Sequence, residues 1–339
     1  NSNIRVRLYS WDENVALDRD FWNERIKTAV SLRSDFIQNE STTAYRVINS
    51  EADGLSGLTV DRYGDWLLVQ LTSLALAERK EILFDLLEEH CSPKGIWLRT
   101  EKGIRDLEGL SIADGLVRGE EPPRPLSILE NGLTFLVDVA EGQKTGFFLD
   151  QRDNRRAVAR YTAGHKVLDL FSYSGAFGIT AAASGGAESV TCVDSSKPAL
   201  ESAQQNAVAN DVAEKVNVAA SDCFKYLEAA RDEGAVFDTV ILDPPKMTRS
   251  ASGAKNALRG YHSLNDLAVS VLRPGGILVT CCCSGHISRD EFVRMLSGVA
   301  TGSGRRIQIL ESRGHAADHP VSPNCPENAY LKCLICRVV

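Results

Sequence analysis

Hydrophobic and polar residues follow a helical period and then a strand period in the first third of the chain. Apolar residues three or four positions apart over 18–37 predict an amphipathic helix, and a second helix is expected at 75–90. Short alternating runs, separated by Asp-Gly and Ser-Gly turns, predict strands at 4–9, 45–49, 58–61, 66–71 and 95–99. Together these elements predict a small α+β domain over residues 11–125.

From residue 166 onward, strands and helices alternate as far as the last two strands. A proline-rich linker at 119–125 and a hairpin with an Asn-Gly turn at 126–139 precede this region. Strands are expected at 166–170, 190–194, 215–219, 237–242, 276–281, 306–311 and 329–338, and helices at 176–184, 197–209, 222–230, 257–272 and 288–299. The pattern predicts a Rossmann-like α/β fold, a doubly wound parallel sheet with helices on both faces. No helix separates the last two strands, so we expect a terminal antiparallel strand, as in class I methyltransferases.

Composition and charge narrow the possible functions. The chain has 339 residues, of which 43% are hydrophobic and 24% charged, an ordinary globular composition with room for two domains. No apolar run reaches the roughly 18 residues that a membrane span needs. Nine cysteines without a secretion signal favour reduced thiols, and Cys333 and Cys336 fit core packing of an apolar strand better than a zinc pair. The net charge of −7 means that nucleic acid must be bound through local basic patches.

The loop after the first strand of the alternating region predicts a nucleoside-binding site. An apolar run ends near Asp169, and a small-residue turn and a helix follow, with Gly175 and Gly178 as their glycines. This spacing gives little sign of the pyrophosphate cradle of dinucleotide sites, so we expect S-adenosylmethionine as the cofactor. Asp194 ends the second strand, where a carboxylate binds ribose hydroxyls. Asp222, after the third strand, is either an acid near the adenine amine or the N-cap of the next helix.

The end of the fourth strand predicts a wall of the same crevice. Asp243 is followed there by Pro244 and Pro245, which fix the backbone and suit contact with a flat base. Ligands of such sheets bind beyond the carboxyl ends of the strands, so this loop faces the ligand. Asp243 is placed to hydrogen-bond the amine and N3 edge of a cytosine. The alternative is that the two prolines merely end the strand.

Three consecutive cysteines end the fifth strand. Cys283 is furthest out, where its thiol can reach the crevice, whereas Cys281 and Cys282 are expected in the core. A thiolate that adds to carbon 6 of a pyrimidine makes carbon 5 reactive toward a sulfonium methyl group. Such a thiolate needs a local positive field, whose source the sequence does not indicate.

Basic residues flank these loops. The segment 142–156 combines Phe147 and Phe148 with Arg155 and Arg156, and we expect it to close over the cofactor and present cations to an RNA backbone. The alternatives are hairpin-to-core packing for the phenylalanines and a solvated helix face for the arginines. A second basic cluster follows the fourth strand and consists of Lys246, Arg249, Lys255 and Arg259.

Several runs of the chain, in order, resemble one family. The runs 145–152, 169–177, 243–246 and 283–285 are similar to those of the RlmI-type rRNA methyltransferases, and 51–64 resembles that family's central domain. The resemblance implies a class I enzyme that makes 5-methylcytosine in large-subunit rRNA. It also implies three regions: a remnant of an N-terminal PUA-like domain at 1–10, a central EEHEAD-like domain at 11–125, and the methyltransferase domain with its N-terminal hairpin at 126–339.

The resemblance assigns roles to individual residues, with Cys283 as the nucleophile and Asp243 meeting the base. The residues expected around the cofactor are Phe148, Gln151, Arg152, Asp169, Phe171, Ser172, Gly175, Phe177, Asp194, Ser195, Asp222, Cys223 and Asp243. Those expected to contact RNA are Pro244, Pro245, Lys246, Arg249 and Arg155.

Two alternatives stay open at this point. One is methylation of guanine N7, which needs no thiol adduct, and the other is a non-catalytic ribosome-assembly factor that retains the cofactor fold. Ribosomal RNA is the expected partner; neither a metal nor a membrane is expected, and the sequence does not indicate an oligomeric state. Because the chain starts with Asn1, we expect a fragment or processed form. A bacterial-type enzyme would be cytoplasmic, whereas a missing transit peptide would place it in an organelle.

Overall fold

A computed structural model describes residues 4–37, 39–100, 102–139, 146–248 and 250–339 of the chain. The chain divides into two compact units. The first consists of Asn1–Asp150 and Ala316–Asn328, and the second of Gln151–His315 and Ala329–Val339. In the described part of the chain, no helix combines the length and the apolar composition that crossing a membrane requires.

The first unit is built on a mixed five-stranded sheet. Its helices are Arg19–Phe36 (α1), Leu74–Ala77 (α2), Lys80–Cys91 (α3) and Lys102–Glu108 (α4), and its strands are Ala44–Asn49 (β1), Leu58–Tyr63 (β2), Trp66–Leu71 (β3), Gly95–Leu98 (β4), Gly115–Gly119 (β5), Leu126–Glu130 (β6) and Leu133–Val137 (β7). Strands β1 to β5 lie side by side in chain order, and only β3 and β4 are parallel. Strands β6 and β7 form the predicted hairpin around Asn131 and Gly132, both at positive φ.

The acidic motif at 51–64 has a structural role in the first unit. Arg33, on the buried face of α1 and 1% exposed, forms an ion pair with Asp53 at 2.7 Å. On β1, Arg46 is paired in the same way with Asp61, also at 2.7 Å. The returning segment 316–328 joins this cluster, because the Asp318 carboxylate accepts from the Arg46 N–H at 2.8 Å. Each buried charge therefore has a partner, as burial requires.

The strand predicted at 4–9 is wrong. Residues 4–8 have no strand structure, and Val6 is 83% exposed. The segment is attached through side chains: the Arg7 guanidinium donates to Ser56 Oγ at 3.0 Å, and the Tyr9 hydroxyl donates to Ser56 O at 2.8 Å. Alternating residues extend as a strand only beside a neighbouring strand, and none pairs with this segment among the described residues.

The second unit contains the predicted doubly wound sheet. Its helices are Arg152–Ala159 (α5), Ala176–Ala183 (α6), Lys197–Ala209 (α7), Cys223–Asp232 (α8), Ala254–Ser270 (α9) and Arg289–Ser303 (α10), and its strands are Lys166–Leu170 (β8), Ser189–Asp194 (β9), Val216–Ala220 (β10), Phe237–Leu242 (β11), Leu272–Cys282 (β12), Ile307–Arg313 (β13) and Lys332–Val338 (β14). The strand order is β10-β9-β8-β11-β12-β14-β13. Strand β14 lies between β12 and β13 and is antiparallel to both, which confirms the predicted class I plan.

The core of the second unit lies between the sheet and the helices α8, α9 and α10. Strand residues such as Leu168, Val240 and Leu278 are fully buried and pack in one cluster with Tyr261 of α9 and Phe292 of α10. A continuous apolar layer of this kind supports the central strands, whose carboxyl ends carry the candidate site.

Candidate functional site

Four adjacent strands of the second unit end at one edge of the sheet. The parallel strands β9, β8, β11 and β12 are neighbours, and their last residues are Asp194, Leu170, Leu242 and Cys282. The loops that follow carry the predicted site residues. The fold therefore brings the cofactor loop, the Pro-Pro loop and the cysteine turn to the same edge, as expected for this class of sheet.

The loop after β8 has an unusual backbone. Phe171, Tyr173 and Gly175 have φ values of 60°, 48° and 77°, all in the left-handed region. Two of these residues carry side chains that rarely adopt this conformation, at a cost of roughly 1–3 kcal/mol each. The Asp194 carboxylate accepts from the Tyr173 N–H at 3.0 Å and holds the turn. The surrounding contacts thus fix a loop that exposes its backbone toward the sheet edge.

Asp169 and Ser172 leave polar atoms buried without a partner. Asp169 is 1% exposed, and its Oδ2 accepts from the Gly178 N–H at 2.9 Å. Among the residues that the structure describes, its Oδ1 and the Ser172 Oγ have no hydrogen-bond partner. Burial, opposed by the Gly178 hydrogen bond, raises the pKa of Asp169 to about 8. Unsatisfied buried groups are costly, so this pair indicates a ligand that brings hydrogen-bond donors.

The acids after β9 and β10 have defined local partners. Asp194 also accepts from the Ser196 N–H at 2.8 Å, and a carboxylate with two accepted bonds keeps capacity for further donors. Asp222 is exposed and caps α8 by accepting from the Lys225 N–H at 3.1 Å. Asp222 is therefore the N-cap of α8, and its second carboxylate oxygen can still accept from a ligand. Ser195, beside Asp194, is exposed.

Cys223 connects two of these loops. Its side chain is 3% exposed and accepts from the Phe171 N–H at 3.2 Å. Burial raises the pKa of this thiol to about 12. Cys223 is therefore a neutral packing residue that orders the loop after β8. Phe177, on α6, is buried close behind the same loop.

A directed chain of hydrogen bonds reaches Asp243. Arg313 Nε donates to Asn154 Oδ1 at 3.0 Å, Asn154 Nδ2 donates to Gln151 Oε1 at 2.6 Å, and Gln151 Nε2 donates to Asp243 Oδ1 at 3.0 Å. Because a guanidinium only donates, the orientation of both amides is fixed. The hydrogen-bond chain therefore presents an N–H group to Asp243 and orients its carboxylate.

Asn154 and Arg313 are site residues that the sequence analysis missed. Asn154 lies three residues after Gln151 and is 1% exposed, so helical spacing was an available signal for it. Arg313 is 159 positions away on β13, and its bond to Asn154 leaves no local pattern.

Helix α5 carries three of the arginines considered in the sequence analysis, and two of them are buried. Arg152 is 4% exposed and Arg155 is 2% exposed, whereas Arg156 lies at the surface. The Arg155 guanidinium lies 5.9 Å from the ring centroid of Phe177. The predictions of Arg155 as a phosphate contact or as part of a solvated helix face do not match this placement, because its side chain is buried and does not reach solvent.

Cys283 is the accessible member of the three consecutive cysteines. Cys281 and Cys282 are fully buried at the end of β12, and Cys283, immediately after the strand, is half-exposed. Its thiol donates to the Pro244 carbonyl at an Sγ–O distance of 3.7 Å. The thiol is therefore adjacent to the loop that carries Asp243. No cysteine forms a disulfide, and no metal-like group of three or more His, Cys, Asp or Glu occurs among the described residues.

The remaining predicted residues differ in exposure, and some lie outside the described part of the chain. Pro244 is buried, and Pro245, Lys246, Lys255 and Arg259 are exposed. Arg249 lies outside the described residues, as does Thr145 of the run at 145–152. Phe148 is a half-buried residue of the first unit.

Comparison with known proteins gives consistent matches. A family model described as S-adenosylmethionine-dependent methyltransferase matches residues 111–337. Ribosomal RNA large subunit methyltransferase I of Shewanella denitrificans is 42% identical over 338 residues, which cover 99% of this chain and 85% of that protein. The protein of the same name from Erwinia tasmaniensis is 40% identical and covers 100% and 86%. The crystal structure of SMU.776, classed as a methyltransferase and complexed with SAH, has a TM-score of 0.85 at 26% identity, with 96% of this chain and 83% of that chain covered.

Proposed function

Because the chain belongs to the S-adenosylmethionine-dependent methyltransferases, in the family of ribosomal RNA large subunit methyltransferase I, we propose that it methylates carbon 5 of a cytosine in large-subunit rRNA through a covalent Cys283 adduct. The observation that carries the proposal is the position of Cys283. It is the one thiol of its run that reaches the surface, and it lies against the loop of Asp243. In a bacterial cell the ribosomal substrate would be met in the cytoplasm.

The polar groups at the strand ends fit the cofactor. The buried Asp169 Oδ1 and Ser172 Oγ have no hydrogen-bond partner in the described part of the chain, and the cofactor brings an ammonium and two ribose hydroxyls. We assign the hydroxyls to Asp194 and the adenine side to Asp222 and Cys223. Gln151, Arg152, Phe171, Gly175, Phe177 and Ser195 complete the proposed set within the second unit, and the role predicted for Phe148, a residue of the first unit, stays a prediction from the sequence.

The proposed chemistry uses the thiol of Cys283 as nucleophile. When bound, S-adenosylmethionine supplies an electrophilic methyl group. The Cys283 thiolate bonds to carbon 6 of cytosine, and the electron pair of the C5–C6 double bond makes carbon 5 nucleophilic. After carbon 5 takes the methyl group, with S-adenosylhomocysteine as the other product, it loses its proton to solvent water, the C5–C6 double bond forms again, and the C–S bond breaks to release the thiolate. The enzyme is thereby regenerated.

Asp243 orients the base in this proposal. Its carboxylate is kept as a hydrogen-bond acceptor by Gln151 and can accept from the exocyclic amine of cytosine. Pro244 and Pro245 give the base a rigid wall with no N–H groups. The exposed Lys246, Lys255 and Arg259 are available for phosphate contacts.

Nucleoside analysis of methylated RNA tests the proposal. Ribosomal RNA from cells that lack the gene, incubated with the protein and S-adenosylmethionine, should gain 5-methylcytidine by mass spectrometry. Cys283→Ala should abolish this product without loss of cofactor binding, whereas Cys325→Ala, at another half-exposed thiol, should retain it. Formation of 7-methylguanosine by the wild type and by Cys283→Ala would refute the thiol mechanism and support the guanine alternative. Bound cofactor with no product at all would support an assembly factor.

A further inference from the structure

A buried lysine is part of the turn that follows Cys283. Lys332 is the first residue of β14, lies opposite Cys282 in the sheet and is 3% exposed. Its Nζ donates to Ser284 O at 2.7 Å, to Ile287 O at 2.7 Å and to Tyr330 O at 2.8 Å. Lysine is almost never buried without a specific reason.

The contacts of Lys332 are those of a charged ammonium group. An ammonium has three N–H donors and no acceptor, and all three donors meet carbonyl oxygens. Among the described residues, no carboxylate lies within ion-pair distance of this nitrogen. Burial lowers the pKa of Lys332, and electrostatic attraction to the thiols of Cys282 and Cys283 opposes this shift. The positive charge is therefore balanced by carbonyl dipoles and is oriented toward the cysteine turn.

We propose that Lys332 is a positioning residue that holds the 284–287 turn and supplies the positive field in which the Cys283 thiol ionises. This inference rests on the proposed use of Cys283 as a nucleophile. A cation next to a thiol favours the thiolate, which is the reactive form. Since the thiol proton leaves to solvent, no further reactant is needed. The lysine thus accounts for the positive field that a nucleophilic thiolate requires.

Two other titratable groups face the same thiol. Asp243 precedes Pro244, whose carbonyl accepts from Cys283, and an ionised carboxylate there disfavours the thiolate. Burial raises the pKa of Tyr261, on α9, so this phenol is neutral and adds no charge. Neither group can supply the positive field.

The charged residues at the start of α10 act on Lys332 electrostatically, but each has its own hydrogen-bond partners. Arg289 donates to Ser312 and to the Arg313 carbonyl at 2.9 Å. Glu291 accepts from the Ser288 N–H at 2.8 Å in the capping box of this helix. Of these charged groups, Lys332 is the buried one and donates directly to the carbonyls of the turn.

Alkylation of Cys283 as a function of pH tests the inference without RNA or cofactor. The full chain is treated with iodoacetamide, and mass spectrometry follows modification at Cys283 and at Cys325, which serves as an internal reference. Lys332→Met should raise the midpoint of the Cys283 profile by about one pH unit, a tenfold loss of thiolate below the midpoint. Lys332→Arg, which keeps the charge, should retain the wild-type midpoint. The Cys325 profile should not move in either variant.

Arg305→Met is the matched control. Arg305 is another cation that donates to several carbonyls, including those of Val269 and Leu272 at 2.8 and 2.7 Å. Its replacement disturbs the fold in a comparable way but should leave the Cys283 midpoint unchanged. An unchanged midpoint in Lys332→Met would overturn the proposal, even if alkylation slows equally at every pH. If Lys332→Met does not fold, a wild-type Cys283 midpoint no lower than that of Cys325 overturns it. Alkylation needs no substrate. The test of Lys332 can therefore fail or succeed independently of the test of the thiol mechanism in rRNA methylation.

Discussion

At the scale of single residues, Asp243 depends on side chains from distant parts of the sequence. The position of Cys283 at the outer end of the fifth strand was sufficient to predict that it is more accessible than Cys281 and Cys282, and burial confirms this. The partners of Asp243 were not predictable in full, because Arg313 reaches Asn154 across 159 positions. Lys332 was not among the predicted site residues, since its three carbonyl partners come together only in the folded turn.

The hydrogen-bond chain predicts an unusual effect of Asn154→Asp. An aspartate at 154 still accepts from Arg313 but cannot donate to Gln151, so the Gln151 amide must reverse and present its oxygen to Asp243. This contact sets two oxygens against each other and removes the hydrogen bond that orients Asp243, so kcat for cytosine methylation should fall by about tenfold. Asn217→Asp, at an exposed position, should leave kcat unchanged; an equal loss there would argue against the relay.

Asp169 predicts a pH dependence of stability in the cofactor-free protein. Its pKa is raised from 3.8 to about 8, so the folded state binds the proton more tightly than the unfolded state. The resulting stabilisation is complete below pH 3.8 and is lost as pH rises through about 8. Between pH 6 and pH 8 the loss should amount to about 2 kcal/mol.

Urea unfolding of the wild type and of Asp169→Asn checks this value. The asparagine can still accept from the Gly178 N–H but does not titrate, so its free energy of unfolding should lack this part of the pH dependence. Saturation of the wild type with S-adenosylmethionine should reduce the dependence, because ligand donors favour the carboxylate. Equal pH slopes for the two cofactor-free proteins would contradict the assigned pKa.

At the scale of elements, hydrophobic periodicity predicted most strands and helices of the second unit to within a few residues. The predictions are wrong where tertiary contacts, and not the local pattern, determine the secondary structure. The helix expected at 75–90 is interrupted, and α2 and α3 are separate helices. Helix α4 and strand β5 were not predicted, because both are short, and β5 has glycine at each end. Residues 4–9 alternate between apolar and polar side chains as a strand does, but no strand pairs with this segment among the described residues.

Helix α6 packs so closely on β9 that Gly178 should not tolerate a side chain. A Cβ at this position would lie 2.7 Å from Val190 Cγ1 and 2.9 Å from Cys192 Sγ. Gly178→Ala should therefore lower the free energy of unfolding by about 1–3 kcal/mol in denaturant titrations. Gly302→Ala, in α10 with no atom within 4 Å of the added Cβ, should instead be neutral or stabilising by up to about 1 kcal/mol. The reverse order of the two variants would refute the packing argument.

At the scale of the whole molecule, the path of the chain was the least predictable feature. The segment 316–328 leaves the second unit between β13 and β14 and belongs to the first, where Asp318 meets Arg33 and Arg46. Nothing in its composition marks this, because its anchors are single hydrogen bonds to residues about 270 positions earlier. Periodicity shows which elements form, whereas long-range polar contacts decide to which unit a loop belongs.

The central claim, a covalent bond between Cys283 and carbon 6 of cytosine, is tested most directly with a substrate RNA that carries 5-fluorocytosine. Fluorine at carbon 5 cannot leave as a proton does, so the methylated adduct should remain attached to the enzyme. Denaturing gel electrophoresis with S-adenosylmethionine present should show a protein–RNA product for the wild type and for Cys325→Ala, and none for Cys283→Ala. Absence of this product from wild-type enzyme that methylates the same RNA with ordinary cytosine would contradict the account.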